Sequence, residues 1–120
     1  GRILMSIADS QKAESMSTAA QFTSLGWRVD ATSGTADYLS QWGIEVNKVS
    51  QEDLVARLRK GDWDLVLNIP GGNERHMMQG AELRRSASAA GVPCLHSIAA
   101  ACAVANSLAK KQRTGSQNGI

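Results

Sequence analysis

Apolar residues recur along this chain in short runs, each followed by a segment of helical period or a loop. "RILMSI" (2–7) has little polar alternation and reads as a strand buried on both faces. "ADSQKAESMSTAAQFTSLG" (8–26) predicts a helix, started by Asp9 or Ser10 as cap and ended by Gly26. "WRVDAT" (27–32) and "IEVNKV" (44–49) read as strands, with a short helix "GTADYLSQWG" (34–43) between them. "SQEDLVARLRKG" (50–61) has acidic residues in its first turn and basic ones in its last, the order that suits a helix dipole. "DWDLVLNIP" (62–70) is a compact apolar run stopped by Pro70, and "GGNERHMMQG" (71–80) reads as a loop. A helix "AELRRSASAAG" (81–91), a strand "VPCLHS" (92–97) and an Ala-rich helix "IAAACAVANSLAKK" (98–111) complete the pattern. The prediction is an α/β fold of three layers, a five-stranded parallel sheet between helices, since strict alternation demands parallel crossovers.

A chain of 120 residues suits one domain. The domain is predicted over residues 1–109, with 110–120 as a disordered tail or linker, because "KQRTGSQNGI" lacks apolar content. The start at Gly1 is compatible with excision from a longer protein and with a trimmed tag. A net charge of +2 gives no electrostatic argument for nucleic acid. Trp27, Trp42 and Trp63 are too scattered for a stacking platform. No apolar run approaches the about 18 residues of a membrane span, and no signal peptide is visible. Cys94 and Cys102 make no disulfide framework, so a reducing, cytoplasmic setting is expected. They are expected to be buried thiols, and with two scattered histidines they form no recognisable metal set. No nucleophile elbow, phosphate-loop lysine motif or dinucleotide fingerprint is present, and no cofactor is implied.

In open parallel sheets ligands bind beyond the carboxyl ends of the strands. The residues at those ends are Asp9, Ser10 and Lys12; Thr32, Ser33, Gly34 and Thr35; Lys48; Asn68, Gly71, Gly72 and Asn73; His96 and Ser97. This set is rich in cations, hydroxyls and amides, which favours an anion. "TSGT" (32–35) at a helix mouth offers backbone N–H groups, hydroxyl donors and a glycine for close approach. The same residues would equally serve as a helix cap. Lys12 and Lys48 on the same rim tilt the balance towards an anion, although each alone is an ordinary surface lysine. Asn68 can donate and accept, to a ligand or to close a loop. His76 is a candidate general acid or a plain loop residue, His96 a candidate wall, and Arg84 and Arg85 a helix-face ion pair.

Taken in order, these segments resemble the methylglyoxal synthase-like domain. Within that group the chain resembles the C-terminal allosteric domain of the carbamoyl phosphate synthase large chain. "DATSGTADYL" resembles the family's phosphate loop, "VNKV" its lysine-bearing segment, "LVLNIPGGN" its fourth strand and loop, and "LRRSASAAGVP" its arginine-pair helix. The resemblance implies a regulatory effector site without catalysis of its own. Lys12, Thr32, Ser33, Gly34, Thr35, Lys48 and Asn68 would hold the effector, with Asp9, Asn73 and His76 as further pocket residues. The implied ligand is UMP or IMP, or N-acetylglutamate in urea-cycle-type synthases, which would shift the expected compartment to the mitochondrial matrix. Lys48 matches the nucleotide type; Ile69 and Pro70 match the acetylglutamate type, while Gly71 and Gly80 stand where that type has asparagines. Implied partners are the remaining synthase domains, with a homo-oligomer also compatible. The alternative is a free-standing methylglyoxal synthase-like enzyme acting on a small phosphorylated metabolite such as dihydroxyacetone phosphate. Gln51 falls where that enzyme has its catalytic aspartate, and a glutamine cannot take up a proton at neutral pH. The cyclohydrolase domain of purine synthesis, also of this fold, is a weaker resemblance.

Overall fold

The computed structural model describes residues 1–71 and 74–118 of the chain, and for 74–77 and 114–118 the backbone alone. Five parallel strands form one sheet: β1 (Arg2–Ile7), β2 (Arg28–Thr32), β3 (Asn47–Val49), β4 (Leu65–Ile69) and β5 (Cys94–Leu95). Their order is β3-β2-β1-β4-β5, so β1 lies at the centre. Five α-helices connect and follow them: α1 (Lys12–Ser24), α2 (Ser33–Gln41), α3 (Leu54–Arg59), α4 (Glu74–Ala89) and α5 (Ile98–Asn118). The predicted α/β architecture is the one found.

The alternation of side chains along a strand assigns the layers. Ile3, Met5 and Ile7 of β1 pack with Phe22, Leu39 and Ala101 under α1, α2 and α5. Leu4 faces the other way and joins Leu54, Leu58, Leu83 and Ala87 under α3 and α4. Both faces of β1 are therefore apolar, which explains its unbroken run. Gly26 and Gly43 each end a helix-to-strand link with φ near +83 and +80, a conformation that disfavours any side chain.

Several element boundaries differ from the sequence prediction. The segment 71–80 is not a loop throughout, because α4 begins at Glu74. Gly80, the last residue of that segment, sits inside the helix. The predicted strand over 44–49 shortens to Asn47–Val49 at the sheet edge, where only one neighbour supplies hydrogen bonds. Asp9 does not cap a helix; it opens a 3-10 turn (Asp9–Gln11) ahead of α1. The tail expected to be disordered from Lys110 continues α5 to Asn118. Gln112 contributes there by donating to the Leu25 carbonyl at the end of α1.

Candidate functional site

The chain leaves β1 towards β2 and β3, then crosses to β4 on the other side. Strand order thus reverses between β1 and β4, and at such a point the two sets of connections diverge and open a crevice at the carboxyl edge. A cavity of about 350 Å³ lies there. Its walls come from the end of β1 (Ser6–Asp9), Lys12 of α1, the turn into α2 (Thr32–Thr35), Gln51, the end of β4 (Asn68–Gly71) and Gln79, Gly80 and Leu83 of α4.

The α2 end is electropositive. Lys12 is largely buried, with its side chain 13% exposed, and a Cβ placed on Gly34 would lie 3.3 Å from its ammonium nitrogen. The ammonium therefore rests over the first turn of α2, where the helix presents unpaired N–H groups. Asp9 accepts a hydrogen bond from that ammonium, so the rim carries a carboxylate as well as a cation.

The hydroxyls of this turn do different things. Thr32 occupies the N-cap position with extended backbone, yet its side chain makes no capping bond. The capping alternative is thus not the one adopted, and its hydroxyl remains available at the cavity wall. Ser33 and Gly34 are exposed at the mouth. Thr35 is buried, and its hydroxyl accepts from the Ile7 N–H at 3.0 Å.

The opposite end is built around Asn68, which is 2% exposed. Its Nδ2 donates to the Ser6 carbonyl at 3.4 Å, and its Oδ1 accepts from Arg84 Nη1 at 3.0 Å. Among the described residues Arg84 forms no ion pair, and sequence reasoning missed its bond to Asn68. The signal was the spacing of Gly80 and Arg84, four apart on one helix face. Arg84 also lies near Cys94, whose thiol burial pushes above its ordinary 9.0 while the guanidinium opposes the shift. Both cysteines are only half-buried, which corrects the expectation of buried thiols.

Seven predicted residues converge on the cavity wall: Asp9, Lys12, Thr32, Ser33, Gly34, Thr35 and Asn68. Lys48 does not join them. It is 54% exposed on the edge strand and pairs with Asp37 on the outer side of α2. The short β3 carries it past the cavity rather than into it. His96 is exposed and outside the wall. Asn73 and the His76 side chain lie outside the described residues. Among the described residues no three His, Cys, Asp or Glu side chains gather as a metal ion would require, and no helix is long and apolar enough to cross a membrane.

A doubly wound parallel sheet with a polar-lined cavity at its switch point defines the class: a three-layer α/β domain with a crevice at the carboxyl edge of its sheet. The sequence profile of the MGS-like domain matches residues 14–96, and the chain belongs to that family. Among solved structures, it is similar in fold to methylglyoxal synthase from Elizabethkingia anophelis NUHP1, with a TM-score of 0.71 and 15% identity over 87% of this chain and 76% of that one. It is also similar to ForH, with a TM-score of 0.67 and 21% identity over 92% of this chain and 80% of that one.

Proposed function

We propose that this chain is a regulatory domain that binds a small anionic effector of the UMP, IMP or N-acetylglutamate type, and that it serves a carbamoyl phosphate synthase large chain. The observation that carries the reading is the cavity wall around the α2 turn. The Lys12 ammonium lies over Gly34, while Gln51, an amide with no basic group, stands in the cavity. Such a wall binds an anion and offers no proton acceptor at that position. Effector binding would alter catalysis elsewhere only through a difference in affinity between two states of the whole enzyme, a coupling of about 1–3 kcal/mol.

Calorimetric titration with UMP, IMP, N-acetylglutamate and inorganic phosphate tests this. Binding of one effector, with no methylglyoxal formed from dihydroxyacetone phosphate, is the expected result. Silence with all four ligands would remove the binding function.

The second reading, a free-standing enzyme on a small phosphorylated metabolite, is favoured by Asp9. That carboxylate lines the cavity and lies against Lys12. Turnover of dihydroxyacetone phosphate that disappears in Asp9→Asn would establish the enzyme in place of the regulator.

A further inference from the structure

The inner end of the cavity has a fixed hydrogen-bonding polarity. A carboxamide offers two donors and one acceptor, and alone it can turn either end towards a ligand. Asn68 has no such freedom. Arg84 Nη1 lies 3.0 Å from its Oδ1, and a guanidinium has nothing with which to accept. The Ser6 carbonyl lies 3.4 Å from its Nδ2 and has nothing to donate. Turning the amide over would set donor against donor and carbonyl against carbonyl. The chemistry of both partners therefore assigns the orientation. The second N–H of Nδ2 has no partner among the described residues, and it belongs to a side chain that is 2% exposed and lines the cavity.

Gly80 is what allows the pair to close. A Cβ there would stand 3.0 Å from Arg84 Nη1 and 3.2 Å from Asn68 Oδ1. Glycine inside a 16-residue helix runs against helix propensity, and this close approach gives it a reason.

We infer that Arg84 is a positioning residue that sets ligand specificity. By holding Oδ1, it makes Asn68 a donor towards the cavity, so the site selects anions that carry a second acceptor oxygen, such as a carbonyl, close to the anionic group. The inference rests on the anion-binding reading of the cavity. Lys12 and the α2 backbone N–H groups would hold the anion, while Asn68 would receive the acceptor.

Two probes of equal charge and similar shape isolate the effect: 2-oxopropylphosphonate, which has the carbonyl, and propylphosphonate, which does not. With the wild-type protein the oxo compound is expected to bind about five- to tenfold more tightly, the value of one added hydrogen bond. In Arg84→Met the ratio of the two affinities should fall towards one, and Arg84→Lys, which keeps a donor, should restore part of it. Gly80→Ala supplies a second route, since alanine favours the helix and its methyl group drives the pair apart. A merely structural role for Arg84 would alter both affinities alike and leave their ratio unmoved. Equal binding of the two probes by the wild type, or a ratio unchanged in both Arg84→Met and Gly80→Ala, would overturn the inference while leaving the anion site standing. Failure of both phosphonates and of inorganic phosphate to bind would instead overturn the anion site, and this inference with it.

Discussion

Thr35 Oγ1 accepts the Ile7 N–H at 3.0 Å and lies 3.4 Å from the Ile7 carbonyl, to which it donates. The ladder between β1 and β2 ends at the pair Met5 and Ala31. Beyond it β2 turns into α2, and a side-chain hydroxyl stands in for the missing strand. This bond fixes the turn into α2 to the centre of the sheet. In Thr35→Val the shape is retained but a buried N–H and carbonyl lose their partner, a loss of about 1–3 kcal/mol. Urea unfolding should show that drop, and an unchanged midpoint would deny the bond its role.

Thr32 should behave in the opposite way. It sits at the N-cap position without a capping bond. Thr32→Val should therefore leave stability within about 0.5 kcal/mol, as ordinary substitutions do. Phosphate affinity should fall about three- to tenfold with the loss of one hydrogen bond. Comparing the two valine variants by calorimetry and by urea midpoint separates a ligand-facing hydroxyl from a sheet-facing one.

Lys12 combines near-burial with a position over Gly34. A charge-assisted bond to an anion there contributes about 1.5–3 kcal/mol. Lys12→Met should thus weaken phosphate binding by about tenfold to a hundredfold and flatten its salt dependence. Lys48→Met should change it little, because that ammonium faces Asp37 on the edge of the sheet. Equal losses in the two variants would mean that Lys48 swings into the site.

The fold was largely legible because β1 and β4 are apolar runs closed by recognisable stops. Where burial is two-sided, composition alone identifies a central strand. The edge strand β3 was overextended for the converse reason: Ile44 and Val46 pack against the core without joining the ladder. The α2 side of the cavity wall was readable, since residues that follow an apolar strand lie at the carboxyl edge of a parallel sheet. The α4 side was not. Reading 71–80 as a loop hid the helical spacing that sets Gly80 beside the Arg84–Asn68 contact. The pairing of Lys48 with Asp37, away from the cavity wall, was not legible either, because sequence places a residue on a strand but not its side chain beside a particular partner.

Away from the cavity, Asp30 is 1% exposed in the middle of β2. Its carboxylate accepts from Trp63 Nε1 at 2.8 Å and from Asn47 Nδ2 at 3.1 Å, and pairs with Arg28 at 3.0 Å and Arg57 at 3.3 Å. Removing one member of a buried charged set leaves the others uncompensated. Asp30→Ala should destabilise the domain by about 3 kcal/mol, while phosphate affinity per folded molecule stays at its wild-type value. A large change in affinity would show that this cluster communicates with the cavity.

The same cluster gives a pH dependence of definite sign. Arg57 Nε donates to Asp62 at 2.8 Å, and that bond holds the Asp62 carboxyl below its ordinary 3.8. A carboxylate with a lowered folded value stabilises the fold above its unfolded value and loses that contribution as pH falls through the folded one. Asp62→Asn should therefore be less stable than the wild type at about pH 6, with the two converging in the acid range below about pH 4. Arg57→Met should return the Asp62 titration, followed by NMR, towards 3.8. A stability gap between wild type and Asp62→Asn that persisted unchanged into strong acid would show that the pair acts through packing, with Arg57 lying over the Trp63 ring at 4.7 Å, and not through charge.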